Sequence, residues 1–182
     1  GSTLIITTSA IQNNKTDFET IYDGNEHTLN LDISLDSYII KFSVNNYDYN
    51  LTELPKFKEV GEYTINYVIS ANGYEDLYGS NKVKIYGIKE FDESIKKNEN
   101  LLILDDNNFS NLINKINIYS ITSAFKHLDN AKKIIATDII KTGDYLNIKI
   151  NNSHTIEYLL VYRGDVTADG KISYLDYVSV YN

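Results

Sequence analysis

The 182-residue chain contains no cysteine, methionine or tryptophan, and it has a single proline. Without cysteine, a disulfide framework, a thiolate nucleophile and a cysteine-ligated zinc cluster are all excluded. No apolar run reaches the roughly 18 residues that a transmembrane helix needs, so we expect no membrane insertion. The formal net charge of -8 argues against nucleic acid and anionic membranes as partners.

Signatures of common catalytic sites are also missing. The sequence has no Gly-x-Ser-x-Gly elbow, no His-Glu-x-x-His helix and no phosphate-binding loop. Its three histidines, His27, His127 and His154, fall in three separate predicted elements. We interpret Asp105-Asp106 as a polar turn, because a glycosidase carboxylate pair needs a cleft that small β-rich units rarely form. The chain is therefore predicted not to be an enzyme.

The strongest pattern is an acidic loop at residues 165–176. An EF-hand loop binds calcium through oxygens at positions 1, 3, 5, 7, 9 and 12, with glycine at position 6 for the turn. In this chain the ligand positions hold Asp165, Thr167, Asp169, Lys171 (through its carbonyl), Ser173 (through water) and Asp176, while Gly170 and the apolar Ile172 take positions 6 and 8. We predict a Ca²⁺ site. The alternative is an acidic turn in which Ser173 caps a following helix.

The flanks of this loop narrow the prediction. Residues 154–163 are rich in β-branched and aromatic side chains and indicate a strand where an EF-hand has a helix. A strand, a loop that ends in Asp and a single helix together resemble one repeat of a type I dockerin, at residues 164–182. The resemblance implies calcium binding and, with a second repeat beyond Asn182, binding to a cohesin-like protein. Thr167 replaces the usual Asn or Asp, so we expect weak affinity.

Residues 3–86 contain short strands separated by polar turns. We predict strands at residues 3–8, 19–22, 27–33, 38–44, 51–57, 62–70 and 80–86, which is typical of an antiparallel sandwich. Tyr63 follows the Val60-Gly61-Glu62 corner, and we expect its hydroxyl to bond to backbone near residues 57–59. With Ile21-Tyr22-Asp23-Gly24 and Ala71-Asn72-Gly73-Tyr74, the stretch resembles the bacterial Ig-like repeats of Gram-positive surface proteins.

The rest of the chain predicts a linker and a second module. Residues 88–100 are rich in charged and amide side chains and are interpreted as a linker. Residues 101–163 predict a small α+β module, with strands at 101–104, 115–119, 132–136, 145–150 and 155–162 and a Ser120-capped helix at 121–128. The domains are thus 1–87, 88–100, 101–163 and 164–182. The strand that runs into the calcium loop is similar to C-terminal modules of secreted clostridial proteins.

Tyrosine is unusually frequent, with 16 copies. Tyr47, Tyr49, Tyr74 and Tyr78 fall around predicted loops, where aromatic rings could stack on sugars. The alternative is that tyrosine simply suits strands. A carbohydrate- or host-protein-binding module, or half of a cohesin-binding dockerin, therefore stays open beside a structural role.

The composition also bears on origin and compartment. Abundant Asn, Ile, Lys and Tyr suggest an AT-rich, low-GC bacterial genome, and Gly1-Ser2 is typical of a cloning remnant on an excised fragment. A weak calcium loop functions where calcium is plentiful, outside the cell. We expect a mainly β, monomeric, non-catalytic structural or interaction region of a secreted or cell-surface protein.

Overall fold

A computed structural model describes residues 9–13 and 16–180. The chain divides into two compact units, residues 1–86 and 87–182. The strands of the described residues are β1 (Phe18–Ile21), β2 (Ile39–Val44), β3 (Gly61–Ser70), β4 (Leu77–Phe91), β5 (Lys96–Asn98), β6 (Leu101–Leu104), β7 (Ile116–Tyr119), β8 (Ala124–Leu128), β9 (Tyr145–Asn151) and β10 (His154–Tyr162). The helices are α1 (Phe109–Asn114) and α2 (Tyr174–Val180). The protein is mainly β, as predicted, and in the described part of the chain neither helix could cross a membrane.

The first sheet has the order β1-β4-β3-β2, and β7 pairs with the last part of β4. Alternation along β3 places one set of side chains in the core, where Ile65, Tyr67 and Ile69 are almost completely buried. The sheet is mixed, because β1 runs parallel to β4. The prediction of an antiparallel sandwich was therefore wrong in the direction of these strands. β1 and β4 come from opposite ends of the first unit, so no hairpin turn constrains them to run antiparallel.

Close packing around Tyr67 shows how tightly this core is built. Tyr67 lies opposite Gly79 in the β3–β4 register. A Cβ atom added to Gly79 would sit 1.8 Å from the Tyr67 hydroxyl oxygen, so the ring occupies the space that any other residue would need. Gly79 is therefore required by the close approach of a buried ring to the strand.

The second unit contains a five-stranded sheet of order β5-β6-β10-β9-β8. It is also mixed, since β6 runs parallel to β10 while the other neighbours are antiparallel. Leu146, Ile148 and Ile150 alternate along β9 and are fully buried. Leu102 and Leu160 complete this core from the two parallel strands.

The predicted helix at residues 121–128 is wrong. Residues 124–128 form β8, which pairs with β9 along its whole length. Ile121 is exposed while His127 and Leu128 are buried, so the apolar residues do not line one helical face. Sheet pairing outweighed a weak helical pattern here.

Other predicted elements differ in smaller ways. α1 was missed because it is under two turns long and buries only Leu112. The stretches 27–33, 51–57 and 132–136 make isolated bridges in place of strands. Residues 88–100, predicted as a linker, contain the end of β4 and the whole of β5. The strand predicted at 3–8 lies outside the described residues.

Candidate functional site

The acidic loop follows β10 and forms a sequence of tight turns. Two of its residues have positive φ angles, Ala168 at 56° and Gly170 at 80°. Glycine adopts this conformation at little cost, which explains Gly170 at the sixth loop position. Gly164, just before the loop, has φ 91°. The backbone thus turns where the EF-hand pattern requires it.

Asp165 is the anchor of the loop. Only 2% of its surface is exposed. Its Oδ1 accepts the backbone N–H groups of Asp169 at 3.0 Å and Gly170 at 3.2 Å. Its Oδ2 accepts the N–H of Thr142 at 2.9 Å, which ties the loop to the turn before β9. A buried carboxylate is stable here because three N–H groups satisfy it.

Asp176 closes the other end of the loop, with 3% of its surface exposed. Its Oδ1 accepts the N–H of Thr167 at 2.8 Å and the Thr167 hydroxyl at 2.7 Å. Its Oδ2 accepts the N–H and the hydroxyl of Ser173 at 2.7 and 3.0 Å. These bonds, led by the N–H of Thr167, hold the pKa of Asp176 well below its usual range.

Ser173 and Asp176 also satisfy backbone donors at the start of α2. The Ser173 hydroxyl accepts the N–H of Leu175 at 3.2 Å, while Asp176 reaches back to the Ser173 N–H. A serine just before a helix commonly accepts such an N–H group of the first turn. This cap at Ser173 was part of the acidic-turn alternative, and a helix does follow it.

The remaining predicted ligands are arranged differently. Asp169 Oδ1 accepts the N–H of Lys171 at 2.9 Å and so forms a local turn. Ile172, the apolar residue at loop position 8, is 62% exposed and lies against Gly164. The polar turn at the centre of the loop leaves the Ile172 side chain outside the packed interior.

A second contact region holds the loop to the body of the second unit. The side-chain amide of Asn107 donates to the Gly170 carbonyl at 2.7 Å. A Cβ atom on Gly170 would lie 2.9 Å from Ile139 Cγ2, so the backbone is pressed against residues 139–141. The loop is therefore fixed by packing as well as by its own hydrogen bonds.

The oxygen chemistry of the loop fits calcium, but its carboxylates already have partners. Thr167, Ser173 and Asp176 lie together, and Asp165 holds the backbone of Asp169. Asp176 accepts four hydrogen bonds, which fills the roughly four lone-pair sites of a carboxylate. Across residues 9–13 and 16–180, no group of three or more His, Asp or Glu side chains is placed to hold a metal ion. In the described geometry the loop is closed by protein hydrogen bonds.

A buried polar pair that the sequence did not reveal lies near the loop. His127 Nε2 contacts Asp144 Oδ2 at 2.9 Å, and its Nδ1 contacts the Thr137 carbonyl at 3.1 Å. The ring stacks on Phe109 with centroids 4.7 Å apart. Both ring nitrogens therefore face oxygens inside the fold. This is the arrangement of a structural pair, and no signal in the sequence indicated it, because His127 fell in the predicted helix at 121–128.

In comparisons with known proteins, no family model matches this chain, and a search of curated proteins gives no match either.

Proposed function

We propose that the chain is a non-catalytic structural and interaction region of a secreted or cell-surface bacterial protein, and that residues 165–176 bind Ca²⁺. In this proposal the first unit is an Ig-like spacer and the second carries the calcium loop. The ligands are the six residues at loop positions 1, 3, 5, 7, 9 and 12.

The observation that carries the proposal is the burial of Asp165 and Asp176 inside their own loop. A surface turn rich in carboxylates would expose them to water, yet both are at most 3% exposed. Gly170 supports it further, because its positive φ falls at the position where a calcium loop turns sharply. Burying carboxylates is costly unless charge or hydrogen bonds compensate, and calcium would supply the charge.

The hydrogen bonds of the loop explain why affinity should be low. To ligate an ion, Asp176 has to release its hydrogen bonds from the hydroxyl groups of Thr167 and Ser173. The two hydroxyl oxygens would then turn towards the ion. Asp169 likewise has to release the N–H of Lys171. We therefore expect a dissociation constant at the extracellular end of the range, about 10⁻⁴ to 10⁻³ M.

The Ig-like part of the proposal is supported by Tyr63. Its hydroxyl donates to the Glu59 carbonyl at 3.1 Å, within the stretch expected from the sequence. Its ring stacks on Phe57 with centroids 4.1 Å apart. A tyrosine that bonds back across a strand corner is typical of Ig-like sandwiches.

A protein partner is favoured by the surface of α2. Four of its side chains, Tyr174, Leu175, Tyr177 and Val180, are between 62% and 76% exposed. Exposed apolar groups on one short helix favour contact with another protein. A cohesin-like or other surface protein is the partner we propose for this helix.

The test is calorimetric titration of the chain with Ca²⁺ after chelation. We expect saturable binding that Asp169→Asn weakens strongly, because the loop then has one carboxylate fewer. Asp129→Asn is the matched control, since Asp129 forms the same local turn by accepting the N–H of Ala131. Equal calcium uptake by the wild type and by Asp169→Asn would refute the site.

Amide hydrogen exchange is an independent test of the same proposal. A helix this short is marginal without support, so chelation should speed exchange across residues 165–180 and leave residues 16–86 unchanged. If exchange in 165–180 is slow and identical with and without chelator, the loop is an acidic turn that needs no ion.

A further inference from the structure

Three tyrosines meet on the polar face of the first sheet. The Tyr47 and Tyr49 ring centroids are 6.5 Å apart, and those of Tyr49 and Tyr78 are 5.8 Å apart. Tyr47 and Tyr78 are 78% and 63% exposed, whereas Tyr49 between them is only partly exposed. We call these three residues the tyrosine row.

The row lies on the side of the sheet opposite the core. Tyr78 pairs with Val68 on β3, and Val68 pairs with Lys41 on β2. Directly paired residues share a face of a sheet. The core residue Ile69 pairs with Leu77 and points the other way. The tyrosine row is therefore a surface feature with no role in filling the core.

The loop that carries Tyr47 and Tyr49 is held firmly on this face. Asn46 is bonded twice to the sheet, because its carbonyl accepts the Asn66 side-chain amide and its Oδ1 accepts the Ser43 hydroxyl. Asn45, with φ 59°, accepts the N–H of Thr64 through its side chain at 3.3 Å. Both Ser43 and Asn66 are buried beneath the loop. The rings are thus pre-positioned, which lowers the cost of binding a ligand.

The chemistry of the row favours a sugar over an ionic ligand. Each phenol has an apolar face, on which the C–H groups of a pyranose can pack, and a hydroxyl that can bond to sugar hydroxyls. The charged side chains near the row in the sequence and the strand register are Asp48, Asp76 and Lys41, which leave a small negative excess. A neutral ligand is therefore favoured over an anionic one.

The size of the row also argues against a protein partner. Two exposed aromatic side chains bury about 300–500 Å² between them. A stable protein interface needs about 800 Å² from each partner. The rings are tilted by 56° and 66° to their neighbours, so they form a folded surface and not one flat plane. Such a surface fits a narrow chain of linked rings.

We propose that Tyr47 and Tyr78 bind a neutral oligosaccharide, with Tyr49 positioning the two rings. This site is independent of the proposed calcium loop, which lies in the other unit. The proposal does not rest on that loop, and the two can fail separately.

The test is a titration of the whole chain, followed by amide NMR, with four neutral probes: cellohexaose, xylohexaose, mannohexaose and chitohexaose. At least one probe should shift the amides of residues 47–49 and 78. Tyr47→Ala and Tyr78→Ala should each weaken that binding at least about tenfold, which corresponds to one well-packed ring. Tyr47→Phe, which keeps the ring, should weaken it less.

Tyr22→Ala is the matched control, because Tyr22 is 44% exposed in the same unit and lies outside the row. It should leave the affinity unchanged, and all variants should keep the wild-type unfolding midpoint. The proposal is overturned if no probe shifts residues 47–49 and 78 at about 10 mM, well above a millimolar dissociation constant. It is also overturned if Tyr47→Ala binds the probe like the wild type. A wild type that self-associates in sedimentation, with a Tyr47→Ala variant that does not, would overturn it too, because the row would then be a protein contact.

Discussion

In the described part of each unit there is one histidine–aspartate pair, and the two pairs differ chiefly in burial. In the first unit His27 Nε2 lies 2.8 Å from Asp23 Oδ1, with side chains 15% and 45% exposed. In the second unit the same atom of His127 lies 2.9 Å from Asp144 Oδ2, with side chains 2% and 6% exposed. Each imidazole also stacks on a phenylalanine. The two pairs have the same contact geometry, so their surroundings decide how much each pair contributes to stability.

The comparison extends to the polar groups of each unit. Among the residues that the structure describes, the buried polar residues of the first unit are the neutral Ser43 and Asn66, whereas the second unit buries one histidine and three aspartates. Buried charges must be paired and hydrogen-bonded, and losing one partner leaves the other uncompensated. The second unit is therefore the one whose stability depends on individual ionisable side chains.

The largest effect should come from removing the aspartate of the buried pair. Asp144 Oδ2 lies against the His127 ring inside the fold and also accepts the N–H of Lys141. Asp144→Ala would leave both the buried imidazole and this N–H without their oxygen partner. We expect it to destabilise the second unit by about 2–5 kcal/mol, because a buried polar group left without a partner costs about 1–3 kcal/mol.

Asp23→Ala is the matched variant in the first unit, and its loss of stability should be much smaller because water screens an exposed pair. The measurement is amide exchange by mass spectrometry, which gives an opening free energy separately for peptides of residues 18–86 and 101–162. Similar losses from the two variants would show that burial does not distinguish the pairs.

Acid should loosen a turn in each unit at a different pH. The N–H of Asn25, then the His27 ring and the Asn25 amide, lower the pKa of Asp23 to about 2, and the bonds to Thr167 and Ser173 lower the pKa of Asp176 further. A depressed carboxylate pKa contributes stability above the unfolded value of 3.8, and that stability is lost as pH falls through the folded pKa. The Asp23 turn should therefore loosen before the Asp176 loop.

The measurement is the pH dependence of the Asn25 and Thr167 amide chemical shifts. Asp176→Asn removes the titrating group while it keeps one acceptor oxygen, so its Thr167 shift should become flat with pH. A Thr167 shift that titrates at or above the pH at which Asn25 titrates would contradict the predicted order.

Local patterns in the sequence predicted the parts of the fold that depend on neighbouring residues. Alternation of apolar side chains located β3, β9 and β10 to within a residue or so of their ends, because one face of each strand is buried. The cap at Ser173 is equally local, since it accepts the N–H of Leu175 two residues along the chain.

Features that join distant residues could not be predicted in this way. His127 and Asp144 are 17 positions apart and meet only because β8 and β9 pair. The same pairing overrode the helical spacing at 121–128. The sequence pointed to Tyr47, Tyr49, Tyr74 and Tyr78 as a group, but only the folded structure shows which rings meet. Tyr78 joins the two loop tyrosines, while Tyr74 sits in the turn that begins at Ala71.

The smallest effect should come from the Tyr63 hydroxyl of the first unit. Tyr63→Phe removes the bond to the Glu59 carbonyl but keeps the ring stacked on Phe57. A single neutral hydrogen bond contributes about 0.5–1.5 kcal/mol, and because water can reach the freed carbonyl we expect the lower end. Tyr63→Leu is the control that also removes the stacked ring, and its loss in the opening free energy of residues 18–86 should be clearly larger. Equal losses from the two variants would place the contribution of Tyr63 in its hydroxyl, and a hydrogen bond near the surface of the first unit would then outweigh the packing of the ring.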